Sequence, residues 1–515
     1  MDIIEEIKKY GKATPQKAAY IVDGRELTYG QLDSWSDALG DYIIKKYGKT
    51  GEPVAIYSHK SLYNLVCMLG CVKAGRGYCP IDMSVPKERV RSIIEKLGEG
   101  LIIALEPLDG VKGDVIGEEK LMEIINIPAA GKNIEKPDLS GEDDTFYIIF
   151  TSGSTGEPKG VQISRGALNS FLGWSVKLAD SNGVYLNQAP FSFDLSVMDT
   201  FTSLASGGTI WALTKEVQGD YSRLMESLGK SGAEIWVSTP SFATMCLADK
   251  SFESSLLPNL KRFMFCGETL RVETCRKLRE RFPKAEIVNT YGPTESTVAV
   301  TDVVITEEML AEDGSLPVGR PKPGTLLRIA GEDGRLLPEG QEGEILILGD
   351  SVSKGYYKLK EQTERAFFEM KASELEKWPE DEGTVRGYRT GDMGFLKDGM
   401  LHFSCRRDGQ IKLHGYRMEL SDIEHNLMKI PGVQEAVVLP NIRRGEVKSL
   451  TGFLAWAGEG TLDREGERTE TARIKEQLRA YLPDYMVPKK LVFMKSLPLT
   501  QNGKTDRKAL KELMG

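Results

Sequence analysis

Histidine and paired cysteine are the features that this sequence has least of. Its 515 residues include only four histidines, and none of them stands in an H-E-x-x-H or other paired spacing. This argues against a histidine-ligated metal enzyme. The seven cysteines are odd in number and include no C-x-x-C pair. Their pattern argues against a disulfide framework or a structural zinc site and is typical of a reducing cytoplasm.

The chain also lacks a basic charge balance and a long apolar run. Its net charge of −8 argues against non-specific nucleic-acid binding, which needs a basic surface. The first residues, MDIIEEIKKYGKATPQ, include acids and no apolar core, so they do not predict a signal peptide. The most apolar window, 62–81, is interrupted by Asn64, Lys73 and Arg76 and is too polar to span a bilayer. We therefore expect a soluble, cytoplasmic protein without membrane insertion.

Short apolar runs predict a layered α/β structure over the first two thirds of the chain. A length of 515 residues favours two to four domains. Runs such as 54–57 and 286–289 are separated from their neighbours by helix-length stretches, which indicates largely parallel sheets. From about Val318, short runs alternate with Gly, Asp and Pro turns, as in a compact antiparallel β unit.

A break near 405–410 precedes about a hundred residues with a pattern of their own, enough for a small α+β domain. Ser421 and Glu424 form a capping-box pattern, which predicts a helix that begins at Ser421. The charged stretch 459–470 predicts a solvated loop.

Residues 147–160, YIIFTSGSTGEPKG, combine a strand-like run with a loop of glycines and small hydroxyl residues. Such a loop offers backbone N–H groups, hydroxyls and the Lys159 ammonium to a polyphosphate. It is not a P-loop, because Pro158 precedes the lysine and Gly160 follows it. A flexible linker is the competing interpretation, and the strand pattern before the loop disfavours it.

Four further segments place reactive side chains on turns. Residues 289–295, NTYGPTE, hold an aromatic ring, hydroxyls and a carboxylate in a tight turn after a strand, and 388–392, YRTGD, hold a carboxylate suited to two ribose hydroxyls. Residues 406–419, RRDGQIKLHGYRME, form a polar strand-turn-strand pattern, and 499–504, LTQNGK, end on a lysine that could reach into a cleft. Each segment alone is a weak signal.

Taken in this order with the 147–160 loop, the motifs resemble the adenylate-forming superfamily of acyl-CoA synthetases, luciferases and peptide-synthetase adenylation domains. The resemblance extends as far as Lys508. It implies an α/β fold with a large N-terminal domain (1–407) of two α/β subdomains and a small β unit. A small mobile α+β lid domain (408–515) would follow, with Asp408 as the hinge. The resemblance also implies use of ATP and Mg²⁺ in two half-reactions: a carboxylate attacks the α-phosphate, and a thiol then displaces AMP.

The same resemblance implies the roles of individual residues. Lys504 bridges the substrate carboxylate and the phosphate, Thr151 and Ser152 hold the β- and γ-phosphates, and Glu295 is a magnesium ligand. Tyr291 stacks on adenine and Asp392 holds the ribose hydroxyls. The other ATP-binding residues are Asn289, Thr290, Gly292, Pro293, Thr294, Phe403 and Arg406.

The junction motif departs from the family in one respect. The family usually has Gly-Arg there, whereas Cys405 precedes Arg406 in this chain. Cysteine enters left-handed backbone conformations less readily than glycine. The contacts of residues 403–405 are therefore left open.

Residues 193–199, FDLSVMD, point to the class of acid. Amino-acid-activating members of the superfamily have an aspartate here that pairs with the substrate ammonium, and Asp194 has this place. The competing interpretation is a helix N-cap. Met264 and Cys266 are two apart on a predicted strand and so face the same side. The resemblance places them with Val298 in a substrate pocket that admits only a small side chain such as alanine.

Wider segments, including NQAPFSFDLSVMD and FMFCGETL, are similar to the ligases that load D-alanine onto a carrier protein for lipoteichoic acid alanylation. This implies that Cys266 favours the D-enantiomer, which spacing alone does not establish. It also implies that the acceptor is the 4′-phosphopantetheine thiol of a separate small carrier protein, with Gly415 lining the path of the thiol.

Three other functions are open at this point. One is a stand-alone adenylation enzyme for glycine, serine or L-alanine. An acyl-CoA ligase is disfavoured by Asp194. A silent nucleotide-binding module is disfavoured because Lys504, Asp392 and Glu295 are all present.

Overall fold

The computed structural model describes residues 1–126, 141–153, 157–311, 315–375, 383–407, 410–413, 416–443, 446–457, 464–498 and 505–514. The chain forms two compact units. The first comprises Met1–Met83, Lys96–Ile149 and Gly160–Arg407, and the second comprises Ser84–Glu95, Phe150–Lys159 and Asp408–Gly515. The domain limits 1–407 and 408–515 stay a prediction, because the second unit also takes in two segments from the N-terminal part.

The helices of the described residues are α1 (Ile3–Ala13), α2 (Tyr29–Tyr47), α3 (Asn64–Lys73), α4 (Lys87–Leu97), α5 (Glu118–Ile125), α6 (Arg165–Ala179), α7 (Leu195–Ser206), α8 (Lys215–Gly219), α9 (Tyr221–Ser231), α10 (Pro240–Cys246), α11 (Val272–Arg281), α12 (Glu307–Ala311), α13 (Lys360–Ala366), α14 (Leu420–Met428), α15 (Arg464–Leu478) and α16 (Arg507–Glu512). Short 3₁₀ turns lie at Thr294–Ser296, Ala372–Glu374 and Asp484–Met486. None of these helices has the length and apolar character needed to cross a membrane.

The strands are β1 (Ala18–Val22), β2 (Arg25–Thr28), β3 (Val54–Ser58), β4 (Tyr78–Asp82), β5 (Leu101–Ala104), β6 (Asp114–Gly117), β7 (Thr145–Thr151), β8 (Lys159–Ser164), β9 (Val184–Asn187), β10 (Thr209–Ala212), β11 (Ile235–Ser238), β12 (Arg262–Phe265), β13 (Glu286–Tyr291), β14 (Thr301–Val304), β15 (Arg320–Pro321), β16 (Thr325–Ala330), β17 (Gly343–Gly349), β18 (Gly355–Tyr356), β19 (Phe367–Lys371), β20 (Thr384–Lys397), β21 (Met400–Arg406), β22 (Gln410–Leu413), β23 (Tyr416–Glu419), β24 (Val433–Arg443), β25 (Glu446–Trp456) and β26 (Lys490–Met494).

Three sheets organise the N-terminal part of the chain. A nine-stranded sheet has the order β15-β14-β13-β12-β11-β9-β10-β1-β2 and is parallel from β13 to β1. A seven-stranded sheet has the order β18-β8-β7-β4-β3-β5-β6. The third sheet, β16-β17-β20-β19 with β21 on β20, is antiparallel. These sheets confirm the predicted α/β class, and the antiparallel sheet follows Val318 as predicted.

Helix α3 is apolar along its length, and all ten of its residues are buried. It packs on α2 at Gly70, where an added Cβ would lie 2.7 Å from a methyl carbon of Leu39. A larger residue would push the two helices apart, since interiors are close-packed. The window 62–81 is thus a buried helix that leads into β4, which is the environment that its apolar composition favours.

In the second unit, β24, β25 and β26 form one sheet and β22 and β23 form a hairpin. The predicted capping box is wrong: α14 begins at Leu420 with Glu419 at the N-cap position, and no side chain caps it. Glu424 instead accepts hydrogen bonds from the Val438 N–H (2.8 Å) and the Arg507 guanidinium (2.8 Å). The predicted loop is wrong over 464–470, which belong to α15.

Candidate active site

Asp392 is held on two sides by residues from separate motifs. Its Oδ2 accepts a hydrogen bond from the Tyr291 hydroxyl at 2.6 Å, and its Oδ1 accepts one from Arg406 Nη1 at 2.7 Å. Tyr291 ends β13, while Asp392 and Arg406 lie opposite each other on β20 and β21. The carboxylate is buried, and both of its oxygens are fixed in direction.

Burial raises the pKa of the Tyr291 hydroxyl well above 10, and the Asp392 charge acts in the same direction. The hydroxyl therefore stays protonated and donates. The Phe403 ring lies 6.3 Å from the Tyr291 ring at an interplanar angle of 34°. Cys405 lies in strand β21 and pairs with Met393, so the missing glycine requires no left-handed backbone here. Although cysteine replaces the usual glycine before it, Arg406 still donates a hydrogen bond to Asp392.

Glu295 lies in the 3₁₀ turn Thr294–Ser296 and is fully buried. Its Oε1 accepts a hydrogen bond from the Tyr356 hydroxyl at 2.9 Å. Magnesium is commonly held by one or two carboxylates together with substrate phosphate oxygens. A single buried carboxylate fits that donor set. Tyr356 was not predicted from the sequence, because nothing in a tyrosine on a short strand indicates its partner.

The turn after Glu295 has an unusual backbone. Thr297 and Val298 are consecutive, buried and β-branched, and have φ values of 59° and 68°. Such residues rarely adopt positive φ, and surrounding contacts must compensate the strain. A Cβ on Gly292 would lie 2.5 Å from Ala299 Cα, so only glycine lets the two arms of the turn approach.

The other residues of this turn motif bind the neighbouring backbone. The Asn289 side chain donates to the Pro317 carbonyl at 2.8 Å, and the Thr290 hydroxyl donates to the Phe265 carbonyl at 2.8 Å. Pro293 and Thr294 are buried. In the structure, Asn289 and Thr290 therefore fix the shape of the site.

Residues 150–159 of the 147–160 segment belong to the second unit, whereas 147–149 and Gly160 belong to the first. The Ser152 hydroxyl accepts a hydrogen bond from the Glu419 N–H at 3.0 Å, and the Lys159 ammonium lies 3.4 Å from Glu419 Oε1. The Thr151 hydroxyl donates to the Lys159 carbonyl at 3.5 Å. A Cβ on Gly153 would overlap the Glu157 carbonyl oxygen, so the loop needs glycine there. The phosphate-binding roles of Thr151 and Ser152 stay predictions.

Asp194 immediately precedes α7 and is buried. Its backbone is already helical, and its side chain makes no capping hydrogen bond. The competing N-cap interpretation, in which the carboxylate serves the helix end, is therefore wrong. Burial raises the pKa of the Tyr147 hydroxyl, and the Asp194 charge adds to this effect.

The predicted pocket residues are buried in one hydrophobic cluster. Met198, Met264, Cys266 and Val298 all belong to it. Cys266 Sγ lies 3.7 Å from the Val298 carbonyl oxygen, so the end of β12 contacts the turn after Glu295. The structure thus brings Cys266 and Val298 together, and their role in a substrate pocket stays a prediction.

Two models of known families match the chain. The family model of the AMP-binding enzyme matches residues 7–357, and that of the AMP-binding enzyme C-terminal domain matches residues 422–504. The chain belongs to the AMP-binding enzyme family. The predicted adenylate-forming fold and the prediction of an ATP-using ligase are confirmed.

Relatives of this AMP-binding enzyme match it from end to end. It is 44% identical over 513 residues to the D-alanine–D-alanyl carrier protein ligase of Bacillus anthracis (strain CDC 684 / NRRL 3495), with 99% of each chain covered. The ligase of the same name from Bacillus thuringiensis (strain Al Hakam) is 44% identical over 514 residues, again with 99% of each chain covered.

Solved structures show the same fold. The chain matches PA1221, an NRPS protein containing adenylation and PCP domains, at a TM-score of 0.82 and 27% identity, covering 99% of this chain and 84% of that one. It matches the Vibrio cholerae adenylation domain AlmE, solved with glycyl-adenosine-5′-phosphate, at a TM-score of 0.79 and 23% identity, covering 99% and 97%.

Several predicted residues of this AMP-binding enzyme lie outside the described residues. They are Lys504, Asp408 and Gly415, together with 154–156 of the loop.

Replacing Gly292 with alanine tests the turn geometry. We expect a loss of about 1–3 kcal/mol in the free energy of unfolding, since the added Cβ forces the Val298–Ala299 backbone to move. Adenylate formation should fall as well, because the same turn carries Glu295. Gly173→Ala in α6 is the matched control, as its Cβ would meet no atom within 4 Å. Equal unfolding midpoints for the two variants would contradict the steric argument.

Proposed function

We propose that this AMP-binding enzyme uses ATP to activate D-alanine as D-alanyl-adenylate and then transfers the D-alanyl group to the phosphopantetheine thiol of a separate carrier protein. The buried carboxylate of Asp194 carries the proposal. It sits at the start of α7 without capping the helix. A buried carboxylate is suited to pairing with a cation, and the ammonium of an amino acid is such a cation. Fatty and aryl acids have no such group.

The size of the side chain follows from the pocket. Cys266 and Val298 are in contact and buried among Met198 and Met264. We infer that a pocket lined by these four side chains admits a small side chain such as the methyl group of alanine. The full-length likeness to D-alanine–D-alanyl carrier protein ligases supports alanine and its D-enantiomer.

In the first half-reaction, a substrate carboxylate oxygen bonds to the α-phosphorus, and the bond from that phosphorus to the bridging oxygen of pyrophosphate breaks. Two anions meet in this step, so cationic groups must offset their charge in the transition state. Lys504 would bridge the carboxylate and the α-phosphate, while Thr151 and Ser152 would hold the departing pyrophosphate. A magnesium ion held by Glu295 would neutralise phosphate charge.

The nucleoside end is positioned by the Asp392 cluster. Each carboxylate oxygen has a second lone pair beyond the one that Tyr291 or Arg406 uses, and these can accept the two ribose hydroxyls. The Tyr291 and Phe403 rings would face the adenine. Asn289, Thr290, Gly292, Pro293 and Thr294 hold the turn that places Tyr291.

In the second half-reaction, the thiolate of the carrier attacks the acyl carbonyl carbon, and the carbon–oxygen bond to AMP breaks. Rotation of the C-terminal domain about Asp408 would open the path for the thiol along Gly415. The domain limits 1–407 and 408–515 belong to this proposal. We propose lipoteichoic acid as the final acceptor of D-alanine and the cytoplasm as the place of the reaction.

ATP–pyrophosphate exchange with a panel of acids tests this function. We expect exchange with D-alanine to exceed that with glycine by about tenfold or more, since one methyl group in a hydrophobic pocket is worth about 1–3 kcal/mol. Exchange with serine and L-alanine should also be lower than with D-alanine. Exchange with glycine or an L-amino acid but not with D-alanine would contradict the assignment. Thioester formation with free CoA and a fatty acid would instead indicate an acyl-CoA ligase.

A further inference from the structure

Lys60 is a buried lysine whose role no motif explains. It lies between β3 and α3 in the first unit, and only 4% of its surface is exposed. Its ammonium donates hydrogen bonds to the carbonyl oxygens of Asn187 and Gln188, both at 2.8 Å. Lysine is seldom buried to this degree unless its charge is compensated. These carbonyls belong to the residue that ends β9 and to the residue after it.

Asn187 connects this point to helix α7. Its side-chain amide donates to Asp199 Oδ1 at 2.7 Å, and the Thr200 hydroxyl donates to the same oxygen at 2.9 Å. Asp199 is completely buried. A hydrogen bond between Asn187 and Asp199 therefore joins the two ends of the segment 187–199. Lys60, which follows β3 of the seven-stranded sheet, binds the Asn187 end, which belongs to the nine-stranded sheet.

The charges of Lys60 and Asp199 depend on each other. Burial lowers the pKa of the Lys60 ammonium, and the nearby Asp199 charge opposes that shift. Burial raises the pKa of the Asp199 carboxyl, and Lys60 opposes that shift in turn. Asp199 Oδ2 has no hydrogen-bond partner among the described residues. Removing Lys60 would therefore raise the pKa of the Asp199 carboxyl further and favour its neutral form.

The closed segment is the one that carries Asp194. From Asn187 the chain passes through a turn in which the Phe193 N–H donates to the Pro190 carbonyl at 3.0 Å, and α7 follows at once. The Asp194 carbonyl accepts a hydrogen bond from the Val197 N–H at 2.9 Å, so Asp194 moves with the first turn of α7. Asp199 ties that helix to Asn187, and the position of Asp194 therefore follows the way in which Asn187 is fixed.

We propose that Lys60, together with Asn187 and Asp199, is a positioning cluster that sets where Asp194 meets the ammonium of the amino-acid substrate. This inference rests on the proposed function. It assigns Lys60 no contact with substrate. Displacing a binding group by about 1 Å can reduce a reaction rate about a hundredfold, so a positioning cluster affects substrate use without touching the substrate.

Replacing Lys60 with methionine, which keeps an unbranched side chain one atom shorter and removes the charge, tests the cluster. We expect the apparent KM for D-alanine in pyrophosphate exchange to rise about tenfold or more, with the KM for ATP within about twofold of the wild type. The matched control is Lys73→Met. Lys73 is also 4% exposed, but its ion partners are Asp33 and Asp37, at 2.8 and 2.9 Å. This control should lower thermal stability while leaving both KM values near those of the wild type.

A double-mutant cycle keeps the test decisive if Lys60→Met folds poorly. Asp199→Asn retains the shape of the side chain and removes its charge. We expect the Lys60→Met/Asp199→Asn variant to have a KM for D-alanine no higher than that of Lys60→Met alone, because without Lys60 the Asp199 carboxyl already favours the neutral form that asparagine resembles. Additive effects in the cycle, or equal KM changes in the Lys60 and Lys73 variants, would overturn the positioning role. Absence of D-alanine-dependent exchange in the wild type would refute the proposed function itself, and this inference with it.

Discussion

Replacing Lys504 with alanine should slow formation of D-alanyl-adenylate by about 10²–10³-fold while leaving ATP binding measurable. The first half-reaction drives two anions together, and a lysine between the carboxylate and the α-phosphate offsets charge that exists only in that transition state. In the proposed function, binding of ATP would also draw on Tyr291, Asp392 and Arg406, whose contacts the substitution leaves in place. Pyrophosphate exchange measures the rate, and equilibrium binding of a nucleotide measures the affinity.

The two half-reactions separate this role from a general loss of structure. With D-alanyl-adenylate supplied, the Lys504→Ala variant should load the carrier thiol at nearly the wild-type rate, since a thiolate attacking a carbonyl does not need the bridge. Lys508→Ala removes the same charge from an exposed position in α16 and should behave as wild type in both assays. A near-normal rate of pyrophosphate exchange in Lys504→Ala would refute the bridging role.

The parallel strands could be predicted from the sequence because buried strands form short runs of mainly apolar residues. The runs 54–57 and 286–289 became β3 (Val54–Ser58) and β13 (Glu286–Tyr291). A strand covered on both faces is apolar throughout, and that signal is local. The predicted start of helix α14 was wrong. Ser421 and Glu424 match a local capping pattern, but Glu424 pairs instead with Arg507, 83 residues away.

The candidate site was predictable as a set of motifs but not as a geometry. Tyr291 and Asp392 were both expected at the nucleotide, yet their 2.6 Å hydrogen bond joins residues 101 apart, and spacing carries no information about it. For the same reason the sequence did not predict the contact between Tyr356 and Glu295, which are 61 residues apart. Lys60 was missed for a different reason: a lysine between a strand and a helix is usually solvated, and only the fold shows that it is buried.

Replacing Asp194 with alanine should raise the apparent KM for D-alanine on the order of 100-fold while leaving the KM for ATP nearly unchanged. Removing one partner of a buried charge pair costs about 2–5 kcal/mol, much of it because the substrate ammonium is left unpaired. The carboxylate makes no capping bond, so α7 should lose little by its removal. Without substrate, the variant should melt no lower than the wild type, since a buried carboxylate is itself costly.

Asp220, whose side chain does cap a helix, provides a matched control for which we expect the opposite result: a loss of stability without a change in KM. The Asp220 side chain caps α9 by accepting a hydrogen bond from the Arg223 N–H at 3.1 Å. Asp220→Ala should cost about 0.5–2 kcal/mol of stability and leave both KM values unchanged. The two substitutions remove the same atoms next to a helix start, one from a buried carboxylate that does not cap its helix and one from an exposed carboxylate that does. If Asp194→Ala lowered the melting temperature as Asp220→Ala does and left the KM for D-alanine unaltered, Asp194 would be a structural residue and the class of substrate would have to be argued anew.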